Sequence, residues 1–188
     1  MKLKSAIALL LTISLTLLLV GCLSFPKSSY RATKEFDLGN FPSIKVVAPV
    51  NIIVIRNLSG AEMRFAVKYN NCQVKFDDYN RWVSTVGGMF EKAFLETFDF
   101  AVKGQNTEEL KLSCNIYDFS VNENNIFTLD ASLTLQYANF EKKLRKIIST
   151  KVEKFEAPFV AVAAKKCMYG YMKYCANEIN IFVKGVKK

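Results

Sequence analysis

Cys22 is the residue whose neighbours prescribe a reaction. Leu19-Val20-Gly21-Cys22 closes an apolar run over residues 6–20, which follows the basic residues Lys2 and Lys4. A basic start, an apolar stretch and a small residue before the cut form an export signal, which is removed from the mature chain. Gly21 supplies the small residue, and the Cys22 thiol takes a thioether-linked diacylglycerol. This order predicts a lipoprotein signal peptide over 1–21, a lipidated tether over 22–29 and one domain over 30–188. The competing reading is an ordinary signal peptide or an uncleaved helix, since about 20 apolar residues also span a bilayer. Two or three acyl chains hold a protein far more firmly than a single chain, whose binding is marginal.

No other chemistry converges. The chain has no His, which removes the commonest general base, the Ser–His and Cys–His nucleophile pairs and the commonest zinc ligand. Asp77, Asp78, Glu91, Asp99 and Asp118 are scattered, with no spacing that pairs two of them. Cys72, Cys114, Cys167 and Cys175 remain after Cys22, and no CxxC occurs. An exported domain permits disulfides. Cys167 and Cys175 fall on an expected helix about 12 Å apart, beyond the span of about 7 Å that a disulfide tolerates. Two readings stand for the four: small buried apolar residues, or one disulfide. No catalytic residue, no metal site and no cofactor beyond the acyl group on Cys22 is expected.

Composition bounds the rest. The mature chain is long enough for one domain, and 51% apolar with 13% aromatic residues supports a packed core. The formal charge is +9, two units of which leave with Lys2 and Lys4. Export argues against nucleic acid as the attraction for that charge. An anionic membrane surface or an acidic partner is one reading, and a Lys-rich solvated surface is the other.

Alternation and helical periodicity place the elements. Tyr30 to Leu38 reads as a half-buried strand, 44–48 and 51–56 as short β-branched strands around Pro49, 62–69 as a strand, and 73–76 as a brief return strand. After Trp82, Val83, Val86, Met89, Phe90, Ala93, Phe94 and Phe98 recur every three or four residues. They predict a helix over 84–99 with Ser84 or Thr85 as its N-cap. Gly87 and Gly88 near its start each cost about 1 kcal/mol of helix propensity relative to Ala, which close packing on a sheet would explain. Residues 109–119 and 126–138 alternate as two long strands, 145–154 reads as a weaker strand after a basic turn, and 157–179 is the strongest helix. The expected fold class is α+β: a mostly antiparallel mixed sheet with two amphipathic helices packed against it in two layers.

Three surface features have a functional reading beside a structural one. Trp82 is either a partner anchor, since aromatic residues dominate interfaces, or a half-buried pin between strand and helix. Tyr79, in the same segment, is its companion as a partner contact. Lys142, Lys143, Arg145 and Lys146 either face anionic headgroups or form a solvated turn.

The stretch MRFAVKYNNCQVKFDDYNRWVSTVGGMFEKAFLETF resembles the signature of ABC-type transport auxiliary lipoproteins, the PqiC-like family. In that family a strand and a return strand lead to an aromatic–x–x–Trp segment, here Tyr79 and Trp82, and then to an amphipathic helix. The second half is similar too: a strand ending in Phe119, a strand carrying Leu129, Ala131 and Leu135, and an Ala-rich closing helix. The segment after Ile44 departs from the pattern, with Pro49 as the nearest match to a Pro-x-Tyr-Leu motif. The resemblance implies a fold like the amino-terminal domain of TolB. It also implies a non-enzymatic accessory role in a lipid transport system. There a periplasmic MCE-domain (mammalian cell entry) protein works with an ABC permease and ATPase. The MCE protein would be the partner, the membrane would be met through the lipid anchor, and several copies of the lipoprotein would form a homo-oligomer. The alternative is a stand-alone structural or assembly lipoprotein of the envelope. Leu23 after the lipidated Cys, rather than Asp, points to the outer membrane.

Overall fold

The computed structural model describes residues 31–70, 73–104 and 110–186. Gly21, Cys22, the expected signal peptide and the tether lie outside the described residues, as does Cys72. Among the described residues the order is β1 (Lys34–Phe36), β2 (Val50–Asn57), β3 (Arg64–Lys68), β4 (Val74–Trp82), α1 (Val86–Thr97), β5 (Ala101–Lys103), β6 (Leu110–Asn122), β7 (Ile126–Tyr137), β8 (Phe140–Lys151) and α2 (Ala157–Val186).

The eight described strands form one open mixed sheet. The fold class is therefore α+β, as the alternating and helical patterns predict. β6 is its spine. On one side β6 pairs antiparallel with β7, and β7 with β8. On the other side its edge is shared: the first half pairs parallel with β2 and the last three residues pair parallel with β3. β2 carries β5 beside it, and β3 carries β4 and then β1. The sheet thus forks. The two longest pairings, β6–β7 and β7–β8, are antiparallel, whereas the parallel pairings β1–β4, β2–β5 and β3–β6 are three residues each and β2–β6 is intermediate.

Side-chain alternation explains why one face is covered. Phe127, Leu129, Ala131, Leu133 and Leu135 of β7 are buried, while Thr128, Ser132, Thr134 and Gln136 are not. β6 begins the same way with Leu110, Leu112, Cys114 and Ile116, but its register shifts between Ile116 and Asp118. A bulge adds one residue and changes the parity of those that follow. Phe119 and Val121 therefore return to the core, and the strand runs past Phe119 to Asn122.

Both helices lie on that apolar face. α2 packs on β7 and β8, and α1 packs on β2, β5 and α2. Thr85 is the N-cap of α1, its hydroxyl accepting from the Gly88 N–H at 3.1 Å. A Cβ on Gly87 would meet the Ile55 carbonyl oxygen at 3.9 Å, and one on Gly88 would meet Thr85 Oγ1 at 3.1 Å. Gly88 therefore accommodates the cap, and Gly87 is not forced by its packing. The apolar stripe of α2 continues through Ile179, Phe182 and Val183, so the helix runs a further two turns beyond the expected end.

Three expected elements differ. Residues 44–48 form no strand; only Ile44 bridges to Phe98. Pro42 and Pro49 bracket the run and remove ladder donors on both sides. β4 extends through the polar run Asp77–Arg81, because β3 and β1 flank it there. Alternation is lost at that point since the Asp77 carboxylate accepts from the Tyr79 and Asn80 N–H groups. The basic stretch 142–146 is not a turn. It lies inside β8, and the turn is only Ala138 and Asn139, with Ala138 at φ 51°.

Candidate functional site

Trp82 does not serve as a surface anchor. It is 1% exposed, with its ring centroid 4.0 Å from that of Phe65 and 5.5 Å from that of Phe119. Phe119 continues the aromatic chain to Phe127 at 4.9 Å and to Phe90 of α1 at 5.9 Å. Trp82 is thus a core pin joining the β3–β4 branch to the spine and to α1, buried more deeply than the half-buried position expected. Tyr79 is 45% exposed on β4, so the two residues grouped by sequence occupy different environments.

The basic stretch does not form one surface either. Alternation along β8 sends Lys142 and Lys146 toward α2, where Lys142 Nζ lies 2.8 Å from Glu178 and Lys146 Nζ lies 5.5 Å from the Tyr174 ring centroid. Lys143 and Arg145 lie on the open face of the sheet. Lys143 pairs with Glu141 at 2.9 Å, which raises the Lys143 pKa and lowers that of Glu141. Arg145 donates to both Asp130 oxygens at 2.9 and 2.6 Å, and its guanidinium sits 4.7 Å above the Tyr117 ring. The hydrogen bonds from Arg145 to Asp130 raise the Arg145 pKa.

A second carboxylate on the open face is held similarly. Asp118 accepts from Lys68 Nζ at 2.6 Å and from Ser120 Oγ at 2.7 Å. Asp118 and Asp130 are register partners on β6 and β7, each with its own cation. Sequence spacing did not single out Asp130, because its partner Arg145 is brought beside it only by the β7–β8 hairpin. Each of these carboxylates is paired with its own cation, and together they order the open face of the sheet.

The described thiols are inert by environment. Cys114, Cys167 and Cys175 are free and buried. Burial pushes the Cys114 thiol up to about 12, the Tyr171 hydroxyl 3.7 Å away opposing the shift. Burial likewise raises Cys167 and Cys175. Among the described residues no group of three or more His, Cys, Asp or Glu side chains is placed to hold a metal ion, and no helix is long and apolar enough to cross a membrane.

What remains is surface, where large apolar residues are exposed along the sheet and helices, as at Leu58, Ile147 and Val162, and also at the two ends of the sheet. The upper end, where β6 finishes, holds the β3–β4 and β6–β7 turns and the β8–α2 connection. Tyr69, Val74, Ile126 and Phe155 are all large, apolar and exposed there. The lower end holds the β7–β8 turn, the starts of β2, β5 and β6, and the last turns of α2. Val47 is tied to it by its N–H, which donates to Asn180 Oδ1 at 2.9 Å. Phe100, Phe140 and Ile181 are exposed at this lower end, and Phe100 is the extreme case, 78% exposed at φ 68°. A large residue in the left-handed region costs of order 1–3 kcal/mol. The turn Phe98–Ala101, closed by the Ala101 N–H donating to the Phe98 carbonyl at 3.2 Å, imposes it. Nothing in the local sequence marks Phe100, since that turn position favours Gly or Asn.

These features define a small open-sheet α+β domain with a helical layer on one face. No family model and no curated protein matches the sequence. Solved structures do. One, described only as a crystal structure of an uncharacterized protein, is similar over 79% of this chain and 99% of its own, with a TM-score of 0.69 at 9% identity. Another, protein XCC0632 from Xanthomonas campestris, assigned to the family DUF330, is similar over 82% of this chain and 100% of its own, with a TM-score of 0.68 at 8% identity. At such identities the likeness is one of fold.

Proposed function

We propose that this chain is a non-enzymatic, lipid-anchored accessory protein of an MCE/ABC-type lipid transport system, held on the periplasmic side of the outer membrane. Its work is docking: the acyl chains on Cys22 fix the height of the domain, and the domain grips the periplasmic MCE protein or a neighbouring copy of itself. The observation that carries this reading is the fold. The domain behind the lipobox is similar along the entire length of a DUF330 structure, and DUF330 is the PqiC-like family. The absence of His from the sequence and the pairing of Asp118 with Lys68 and of Asp130 with Arg145 support a binding role over catalysis.

The test is in-cell photocrosslinking. A photoreactive amino acid is placed in turn at the exposed positions Tyr79, Phe100, Phe140 and Ile147, in cells that also express an MCE-type protein. Capture of that protein from at least one position is expected. If none captures it while copies of this chain crosslink to one another, the reading gives way to a stand-alone structural or assembly lipoprotein. The anchor is tested separately. Cys22→Ser should leave a full-length precursor that takes up no labelled palmitate, and label in that variant would remove Cys22 as the acceptor.

A further inference from the structure

We infer that the outer edge of β8 is a strand-binding site, which pairs through its main chain with an extended acidic segment of a partner protein. The inference deepens the docking role proposed above and rests on that reading.

Hydrogen-bond parity defines the edge. In an antiparallel pair, alternate residues turn both main-chain groups toward the neighbour and those between turn both away. The two-residue turn makes Tyr137 and Phe140 facing partners. Just beyond the other end, the Val152 N–H donates to the Asn125 carbonyl at 2.7 Å. Both fix the same phase. The even-numbered residues of β8 bond to β7, while Glu141, Lys143, Arg145, Ile147, Ser149 and Lys151 turn their N–H and C=O groups outward. Among the described residues no strand pairs with that side. The outward groups form a row about 33 Å long. Such a row is a template for an added strand, in which main-chain bonds give affinity and side chains give specificity.

Charge selects the occupant. β8 carries Lys142, Lys143, Arg145, Lys146 and Lys151 against Glu141. Asp130 reaches Arg145 from β7 and Glu178 reaches Lys142 from α2, so five cations face three carboxylates and the edge stays positive. A second copy of β8 would bring the same cations and is repelled, whereas an acidic segment is drawn in. The ion pairs Lys143–Glu141 and Arg145–Asp130 have cations 73% and 60% exposed, so an incoming carboxylate joins them at little cost. Along the open face the order is Lys143, Arg145, Ile147, Ser149, Lys151, with Ile147 58% exposed. A matching strand sets an acid beside Arg145, an apolar side chain beside Ile147 and a second acid beside Lys151. At Lys151 the edge opens into a hollow of about 490 Å³ lined by Asn124, Ile126, Ser149, Thr150 and Lys151, which gives a side chain at the end of that strand a seat.

Hydrogen exchange reads the edge residue by residue in the full-length protein held in detergent. The probe is a synthetic peptide of about seven residues, with glutamate at each end and valine and threonines between. The control replaces its glutamates with lysine. Without peptide the amides of Lys143, Arg145, Ile147 and Ser149 should exchange freely while their even-numbered neighbours are slow. The acidic peptide, at about ten times its dissociation constant, should slow the odd-numbered set about tenfold and leave the even-numbered set unchanged. The basic peptide should do neither. Lys151→Glu should weaken binding of the acidic peptide about fivefold, with the slow even-numbered amides reporting that the fold is kept. Odd-numbered amides already slow without peptide, no slowing at about 1 mM acidic peptide, or equal slowing by both peptides overturns the inference. Crosslinking separates the two readings. Capture of an MCE-type protein from Phe100 or Phe140 without protection of this edge defeats only the strand site. Protection of the edge without any capture defeats the MCE partner and leaves the strand site standing.

Discussion

Cys114 should make the domain fragile to alkali by a calculable amount. Its thiol is 1% exposed and its pKa is raised from 9.0 to about 12, chiefly by burial. In the unfolded chain the thiol ionises at its ordinary value, and in the folded chain it stays protonated. Its neutral form therefore contributes stability that is fully present below pH 9 and is lost as the pH rises through 9 toward 12. A shift of one pKa unit corresponds to about 1.4 kcal/mol, so by pH 11 ionisation at this site should cost on the order of 3 kcal/mol relative to pH 7. Cys114→Ala removes the titration and leaves a small cavity whose cost, about 1–2 kcal/mol, does not depend on pH. Urea unfolding curves in reductant, followed by circular dichroism from pH 7 to pH 11, should show the variant less stable at neutral pH and level with or above the parent at pH 11. Tyr171 and Cys175 are also raised, chiefly by burial and in part by Cys114, so the comparison reads this buried group together rather than one thiol by itself. A gap between the two proteins that stays constant over this range would refute the reasoning.

Three further outcomes are expected. Trp82→Ala should cost about 3–5 kcal/mol by chemical denaturation. Trp82→Phe should cost much less, because the Trp82 Nε1 proton has no acceptor in its buried site; equal losses would mean that the indole nitrogen has a role. Gly87→Ala should stabilise by about 0.5–1 kcal/mol through helix propensity, whereas Gly88→Ala should be near neutral because its Cβ would crowd the capping Thr85 hydroxyl; thermal melts of the two variants that coincide would show the cap to be unimportant. Phe100→Gly should stabilise by about 1 kcal/mol or more by relieving the left-handed backbone, and a lower melting temperature would mean that the exposed ring is packed in solution.

Much of the fold was legible because its long elements are strongly periodic. β7 alternates without a break, and α2 and α1 repeat every three or four residues, so the covered face and the two-layer packing could be read directly, and the cap narrowed to Ser84 or Thr85, of which the structure uses Thr85. The forked edge of β6 could not. β1 and the second half of β4 are short and polar, and only the partners that flank them make them strands. Trp82 illustrates the same limit. It follows Asp77–Arg81, a run that looks solvated, yet the loss of alternation around Asp77 turns the indole inward onto Phe65 and Phe119. The basic stretch was visible as composition, but strand parity, which divides it between α2 and the open face, depends on knowing that the turn is two residues long rather than six.

The basic stretch also explains how an exposed edge is tolerated. β8 has twelve residues and pairs only with β7 among the described strands. A long edge of this kind is a template for pairing with another chain, and charged side chains, lysine above all, are the usual defence. Lys142, Lys143, Arg145 and Lys146 fall within its first seven residues, each held by a partner of its own rather than pooled for a ligand. Ion pairs at that degree of exposure add little stability, so their value lies in what they prevent: a second copy cannot add to β8 without bringing like charges together. If copies of this protein do assemble side by side, the contact must therefore lie elsewhere. Phe100, Phe140 and Ile181 at the lower end are exposed apolar side chains away from the guarded stretch of that edge.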